Sequence, residues 1–226
     1  MVVHIPHVLS QDQLAALQSR LDAASWADGR VTAGYQSAQA KSNLQLPQED
    51  SVARELGDEV LRALERSPLF ISATLPRRVY PPLFNRYHIG MSFGAHVDNA
   101  IRQIPGTAHR LRTDISATLF LSSPEHYDGG ELVIEDSYGT HSAKHAAGDL
   151  VVYPATSVHR VLPVTRGTRT AAFFWIQSMV RDDADRSLLF DIDNAVRELT
   201  RTGGHSESLV RLTACYHNLL RRWGDV

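Results

Sequence analysis

His96-Val97-Asp98, with His159 and Arg169 much further along the chain, supplies two imidazoles, one carboxylate and one permanent cation. In extended chain the side-chain period is two, so His96 and Asp98 share a side while Val97 points the other way. Such a pair can hold one ion from a single strand end, and a second imidazole completes one face of the coordination sphere. Two His and one carboxylate leave the remaining positions open, the arrangement of non-haem Fe(II) enzymes that activate dioxygen. The same ligands also suit Zn or Mn, and affinity alone does not separate these metals. Arg169 precedes an apolar run, Ala171-Ala172-Phe173-Phe174-Trp175. A guanidinium buried in such a strand is costly without an anionic partner. A dicarboxylate co-substrate would be gripped through two parallel hydrogen bonds; a protein carboxylate is the other candidate.

These groups need a scaffold that brings distant strands together. From about residue 69 to 178 the chain reads as short β-like runs broken by Gly and Pro: 77–80, 83–88, 113–121, 131–135, 150–153, 159–164 and 168–177. Arg166-Gly167 is expected to be a tight turn joining the last two into a hairpin, with His159 on one arm and Arg169 on the other. Many short antiparallel strands predict a double-stranded β-helix (jelly roll) core, mainly β with flanking helices. Before it, Ser10-Gln11-Asp12-Gln13 is a capping box that predicts a helix from Ser10 to Ser25. Pro47 and Asp50 open a second helix with Val52, Leu56, Val60, Leu61 and Leu64 on one stripe, ending before Pro68. After Arg181 two more stripes, Leu188 to Leu199 and Leu209 to Trp223, predict a small C-terminal helical hairpin broken at Gly203-Gly204. Such a hairpin is too small to be stable alone and must dock on the barrel or on a second subunit. The expected division is 1–77, a helical and mixed segment packing on the core; 78–178, the jelly roll; and 179–226, the helical hairpin.

Composition narrows the function. At 226 residues one substantial core with a small appendage fits. A formal net charge of −2 gives no global field that would favour nucleic acid or an anionic membrane. Cys215 is the single cysteine, which excludes an intramolecular disulfide and a Cys-based zinc site and favours a reducing compartment. The N-terminus lacks the basic and apolar regions of a signal peptide, and no apolar run reaches the roughly 18 residues of a membrane span. A cytoplasmic protein is expected.

The motifs, taken together, resemble a known family. They are Tyr87-His88-Ile89-Gly90 with His96-Val97-Asp98-Asn99; Gly129-Gly130-Glu131-Leu132; Gly148-Asp149-Leu150-Val151-Val152-Tyr153-Pro154; and His159 with Pro163-Val164 and Gly167-Thr168-Arg169. This set resembles the prolyl 4-hydroxylase-like branch of the Fe(II)/2-oxoglutarate-dependent dioxygenases. With the helical tail, the whole chain resembles the bacterial PKHD-type hydroxylases. The resemblance implies His96, Asp98 and His159 as catalytic iron ligands and Arg169 as the group holding the distal carboxylate of 2-oxoglutarate. It also implies O2 as co-substrate, release of succinate and CO2, hydroxylation of a substrate, ascorbate dependence and a link to bacterial iron uptake. Two departures matter. Some relatives carry Lys at the Arg169 position. Several hydroxylases place a tyrosine where this chain has Phe120, so Tyr87 is the candidate for the second contact to 2-oxoglutarate.

Other signals stay open at this stage. Asn99 either orients Asp98 or caps a loop. The segment 99–112, with Arg102, His109, Arg110 and Arg112, is either a flap over the site or a solvated loop. His141 and His145 have a helical metal-pair spacing but lie between β-like runs and read as surface. The substrate, small-molecule or peptidyl, includes a peptidyl proline, a free amino acid or a siderophore-related compound. A cupin-type metal dioxygenase without a keto acid, and a non-catalytic iron or 2-oxoglutarate sensor, are the competing classes. The apolar faces of the tail predict a homodimer.

Overall fold

A computed structural model describes residues 1–32, 39–136, 139–203 and 206–226. Gly204, half of the expected helix break, and His205 lie outside the described residues. Two antiparallel sheets form the core. Across the larger one run β1 (Val3–Ile5), β14 (Leu150–Pro154), β10 (Ile115–Phe120), β17 (Arg169–Ser178), β6 (Leu83–Tyr87), β4 (Leu44–Gln45) and β2 (Ala27–Asp28). A further strand, β5 (Pro76–Val79), pairs with the far half of β17. The smaller sheet has the order β13 (Gly139–Ala143), β12 (Leu132–Asp136), β15 (Val158–Val161), β7 (Ser92–His96) and β3 (Lys41–Ser42). Two ribbons complete the β structure: β8 (Ile101–Gln103) with β9 (Arg110–Arg112), and β11 (Tyr127–Gly129) with β16 (Val164–Gly167). The mainly β, jelly-roll expectation is borne out.

Why the central strands defy simple alternation is visible in β10. All six of its residues are buried, because helices cover one face and the second sheet covers the other. Ile115, Ala117 and Leu119 join the core beneath the helices, whereas Phe120 joins the core between the sheets. The polar Ser116 and Thr118 share the inward register of Phe120 and line the cleft. The helix layer consists of α1 (Gln11–Ala23), α2 (Ser51–Glu65) and α3 (Pro68–Thr74). The Ser10/Gln13 capping box closes both ways, and Asp50 caps α2 by accepting from Val52 N. Where the sequence suggested β-like character from residue 69, Ser67 instead caps the short helix α3. Leu14, Leu17, Leu21, Leu56, Val60 and Phe70 are each at most 5% exposed, and each contributes about 1.5–3 kcal/mol of burial.

The C-terminal pair, α4 (Asp183–Gly203) and α5 (Glu207–Trp223), docks on this same chain. Leu189 and the α5 residues Tyr216, Leu219 and Trp223 pack with Leu75 and Val180. Ser72 of α3 donates to Asp193 at 2.5 Å. Arg186, 2% exposed, is satisfied by the carbonyls of Val180 and Arg181 and by Asp183.

One expected element is corrected. His159 and Arg169 do not face each other across a hairpin: β15 pairs with β12 and β7 in the smaller sheet, while β17 lies in the larger. Leu162-Pro163 ends β15, and Arg166-Gly167 belongs to β16, which pairs with β11 instead of turning back. The chain thus crosses from one sheet to the other, and the two residues line one cleft from opposite sheets. Gly167 makes that crossing possible: its φ is +70°, and an added Cβ would lie 2.0 Å from the His126 carbonyl oxygen. Gly167→Ala is therefore expected to lose about 2 kcal/mol or more of stability, read as a lowered midpoint in thermal unfolding.

Candidate metal centre

The two histidines come from neighbouring strands. His96, last residue of β7, sits directly across from His159 of β15, and the register shifts just beyond this pair. Such an irregularity re-aims side chains and is common beside active sites. Asp98 follows just past the strand end, and Val97 between the two ligands is 47% exposed at the rim of the cleft. One ligand atom from each of His96, Asp98 and His159 lies within 4.8 Å of the others, and His159 Nε2 is 3.6 Å from Asp98 Oδ2.

Hydrogen bonds fix which ring nitrogen is available. His96 Nδ1 is 2.8 Å from the Gly94 carbonyl and His159 Nδ1 is 3.1 Å from the Ser157 carbonyl. A carbonyl only accepts, so each Nδ1 carries the proton and donates, leaving the Nε2 lone pair as a ligand. Burial and then the neighbouring His159 lower the pKa of His96 to about 4, so its ring is neutral at pH 7. Asp98 Oδ2 accepts from Ser116 Oγ at 2.6 Å, which orients the carboxylate. Two imidazoles with their Nε2 atoms turned to a common centre and one held carboxylate, opening into a cleft, are a donor set that fits Fe(II).

Deeper in the same cleft lies Arg169, 1% exposed. Its Nε and Nη1 have no hydrogen-bond partner, and among the described residues it forms no ion pair, so the protein-carboxylate alternative fails. The β17–β6 register sets it across from Tyr87, whose ring centroid is 5.3 Å from the guanidinium carbon. Tyr87 is fully buried, and burial pushes its hydroxyl pKa up. The Tyr127 hydroxyl is also buried and unpartnered; burial raises its pKa against the opposing charge of Arg169. Gly130, at φ +67°, leaves room for the arginine stem: a Cβ there would stand 3.0 Å from Arg169 Cδ. A buried cation with two idle donors and two tyrosines beside it can take a small carboxylate.

Other expectations resolve differently. Ser116, not Asn99, hydrogen-bonds Asp98; the Asn99 carbonyl instead accepts from Thr113 Oγ1 at 2.7 Å. The 99–112 segment holds the β8–β9 ribbon, and its Arg102 lines the cleft while His109 and Arg110 are exposed. His141 is exposed on β13 and pairs with Asp136, and His145 stacks on His4 at 3.9 Å; neither reaches the triad. Sequence reasoning missed Ser116, Tyr127 and Lys41. Inward register on β10 marks Ser116 once the strand bounds are known. Lys41, 6% exposed, donates to Gln45 Oε1 at 3.0 Å, and burial and then Arg102 lower its pKa to about 8. It sits in a two-residue strand within a polar stretch, which leaves no periodic signal.

Comparison with known proteins agrees with this geometry. A family described as the 2OG-Fe(II) oxygenase superfamily matches residues 82–177, and the PKHD-type hydroxylase C-terminal domain matches residues 183–225. A PKHD-type hydroxylase of Xanthomonas campestris pv. campestris strain B100 is 64% identical over 229 residues, covering 100% of both chains. One from Burkholderia ambifaria strain MC40-6 is 59% identical over 227 residues with the same coverage. A crystal structure of a Pseudomonas putida prolyl-4-hydroxylase superposes with a TM-score of 0.52 at 23% identity, covering 78% of this chain and 92% of that one, which speaks to the fold. The chain belongs to the PKHD-type hydroxylases, Fe(II)- and 2-oxoglutarate-dependent oxygenases with a C-terminal helical domain of their own.

Proposed function

We propose that His96, Asp98 and His159 bind Fe(II), that Arg169 with Tyr87 and Tyr127 holds the distal carboxylate of 2-oxoglutarate, and that a substrate is hydroxylated at the cleft mouth. The observation that carries this is the buried, unpaired guanidinium of Arg169 in the same cleft as the triad. When bound, Fe(II) and 2-oxoglutarate supply the oxidation: one oxygen atom of O2 enters succinate, the other enters the substrate, and CO2 leaves. The chain's own groups do the rest. The Nδ1–H bonds to Gly94 and Ser157 hold the two rings, Ser116 holds Asp98, and Arg169 fixes one end of the diacid so that its keto-acid end faces the triad. Phe93, Phe173 and Trp175 line the cleft and exclude water from its walls.

Fe(II)-dependent conversion of 2-oxoglutarate to succinate in the absence of any substrate tests the reading; no conversion by iron-loaded protein would count against it. Ser116→Ala is expected to weaken Fe(II) binding roughly 10- to 100-fold, the usual worth of a group that orients a ligand, measured by competition with a chelator. The same reading extends to ascorbate as the reductant that sustains turnover, to the cytoplasm as the compartment and to bacterial iron uptake as the setting. The resemblance to the PKHD-type family and the single, exposed Cys215 support these. Among the described residues no helix is long and apolar enough to cross a membrane. A homodimer through the exposed Leu188, Leu199 and Val210 of the tail completes the proposal.

A further inference from the structure

The strand that carries Arg169 also carries Phe173 and Trp175 on the same inward face, and all three line the cleft. From residue 169 to 175 the strand advances about 20 Å. Trp175 lies opposite Ser116, the partner of Asp98, so it stands at the level of the metal triad, at the other end of the cleft from Arg169. Two cations rest on this outer aromatic wall. The guanidinium carbon of Arg102 is 3.8 Å from the Trp175 ring centroid and 5.3 Å from that of Tyr80. Lys41 Nζ is 5.4 Å from the Phe93 centroid and 5.8 Å from that of Phe173. Phe93 stacks on His96 at 3.6 Å, and Phe173 meets Trp175 edge-on at 5.6 Å, so the wall is continuous from the metal ligand to Arg102.

Among the described residues the side chain of Arg102 forms no ion pair and no hydrogen bond, only these ring contacts. Two like charges converging on one cleft repel each other, and at Lys41 burial and Arg102 outweigh the attraction of Asp28 and Asp98. An anion entering between them relieves both costs. Neither carboxylate of the diacid is free to meet this need: in the reading above the distal one is taken by Arg169 at the far end, and the keto-acid one is committed to the metal. A planar guanidinium suits a carboxylate, which it takes through two parallel bonds.

We propose that Arg102 and Lys41, held on one aromatic wall beside the metal triad, recognise a carboxylate of the substrate. This inference rests on the reading of Arg169 as the anchor of 2-oxoglutarate. The substrate is then an organic acid or an acidic peptide whose carboxylate stays at the mouth while a neighbouring C–H faces the triad.

Matched probes test it: 3-phenylpropionate and its neutral isostere 3-phenylpropionamide, titrated calorimetrically into the Fe(II)-loaded enzyme with saturating 2-oxoglutarate under anaerobic conditions. The acid is expected to bind about tenfold tighter or more than the amide, the worth of a charge-assisted hydrogen bond. Arg102→Gln is expected to bring that ratio close to one. Lys41→Met, a shape-preserving change on a separate strand, is expected to lower it independently, so the test survives if one variant does not fold. An equal affinity of acid and amide for the wild type, or a ratio unmoved by both substitutions, overturns the proposal. Displacement of 2-oxoglutarate by the acid overturns it too, since that places the probe at Arg169. Succinate formation by the wild type is measured separately, so failure of the underlying reading is told apart from failure of this one.

Discussion

Asp98→Ala is expected to abolish Fe(II) retention and succinate formation while leaving the fold intact. The expectation follows from what remains: two imidazoles, each with its Nδ1 proton committed to a backbone carbonyl, and no anionic ligand. Even groups that merely orient a ligand are worth roughly 10- to 100-fold in metal affinity, so removal of the one carboxylate among three ligands must cost more than about a hundredfold. Asp98 lies just past the end of β7 and supports no strand pairing. The metal-free variant should therefore unfold within a few degrees of the metal-free wild type by circular dichroism. A variant that retains stoichiometric iron would show that the ligand set is wrong.

Arg169→Met separates charge from packing. The wild-type guanidinium is 1% exposed and has two idle donors, a cost to the protein when nothing anionic is bound. Methionine keeps an unbranched stem against Gly130 and removes the uncompensated charge. The variant should be as stable as the wild type, or more so, without ligand. Truncating one partner of a buried charge pair costs about 2–5 kcal/mol, so 2-oxoglutarate affinity should fall at least roughly 30-fold. Ligand that binds only the folded state raises its stability in proportion to ln(1 + [L]/Kd). At a 2-oxoglutarate concentration that saturates the wild type, the unfolding midpoint should thus rise clearly for the wild type and by well under half as much for Arg169→Met. Arg169→Lys, which keeps the charge and loses the fork, should fall between them. Equal shifts in all three would remove Arg169 from the account.

What the sequence disclosed was chemistry with sharp local constraints. The period-two argument placed His96 and Asp98 together because it needs only an extended backbone. The capping box at Ser10 and the stripe from Val52 to Leu64 were legible because helix signals are contained within a few turns. The cost of a buried guanidinium marked Arg169 for the same reason. Relations between strands were less accessible. The spacing of His159 and Arg169 suited a hairpin, and nothing local reveals that Val164–Gly167 would find β11 and send the chain to the other sheet. Ser116 carries no local mark of its role, which depends on both faces of β10 being covered. Lys41 comes to the cleft from a two-residue strand at a sheet margin and Tyr127 comes to Arg169 from a separate two-stranded ribbon, where no repeat exists to read. Burial and pairing that depend on distant chain are what sequence pattern leaves out.

The central claim is that three side chains converge on one iron with a guanidinium placed to anchor a diacid chelating it. Its most direct test is anaerobic addition of 2-oxoglutarate to the Fe(II)-loaded protein, followed by visible absorption. Keto-acid chelation of Fe(II) should give a charge-transfer band that saturates at one equivalent per chain in the wild type and is missing in Asp98→Ala. Protein that holds one iron per chain yet shows no band, or a band unchanged in Asp98→Ala, would contradict it.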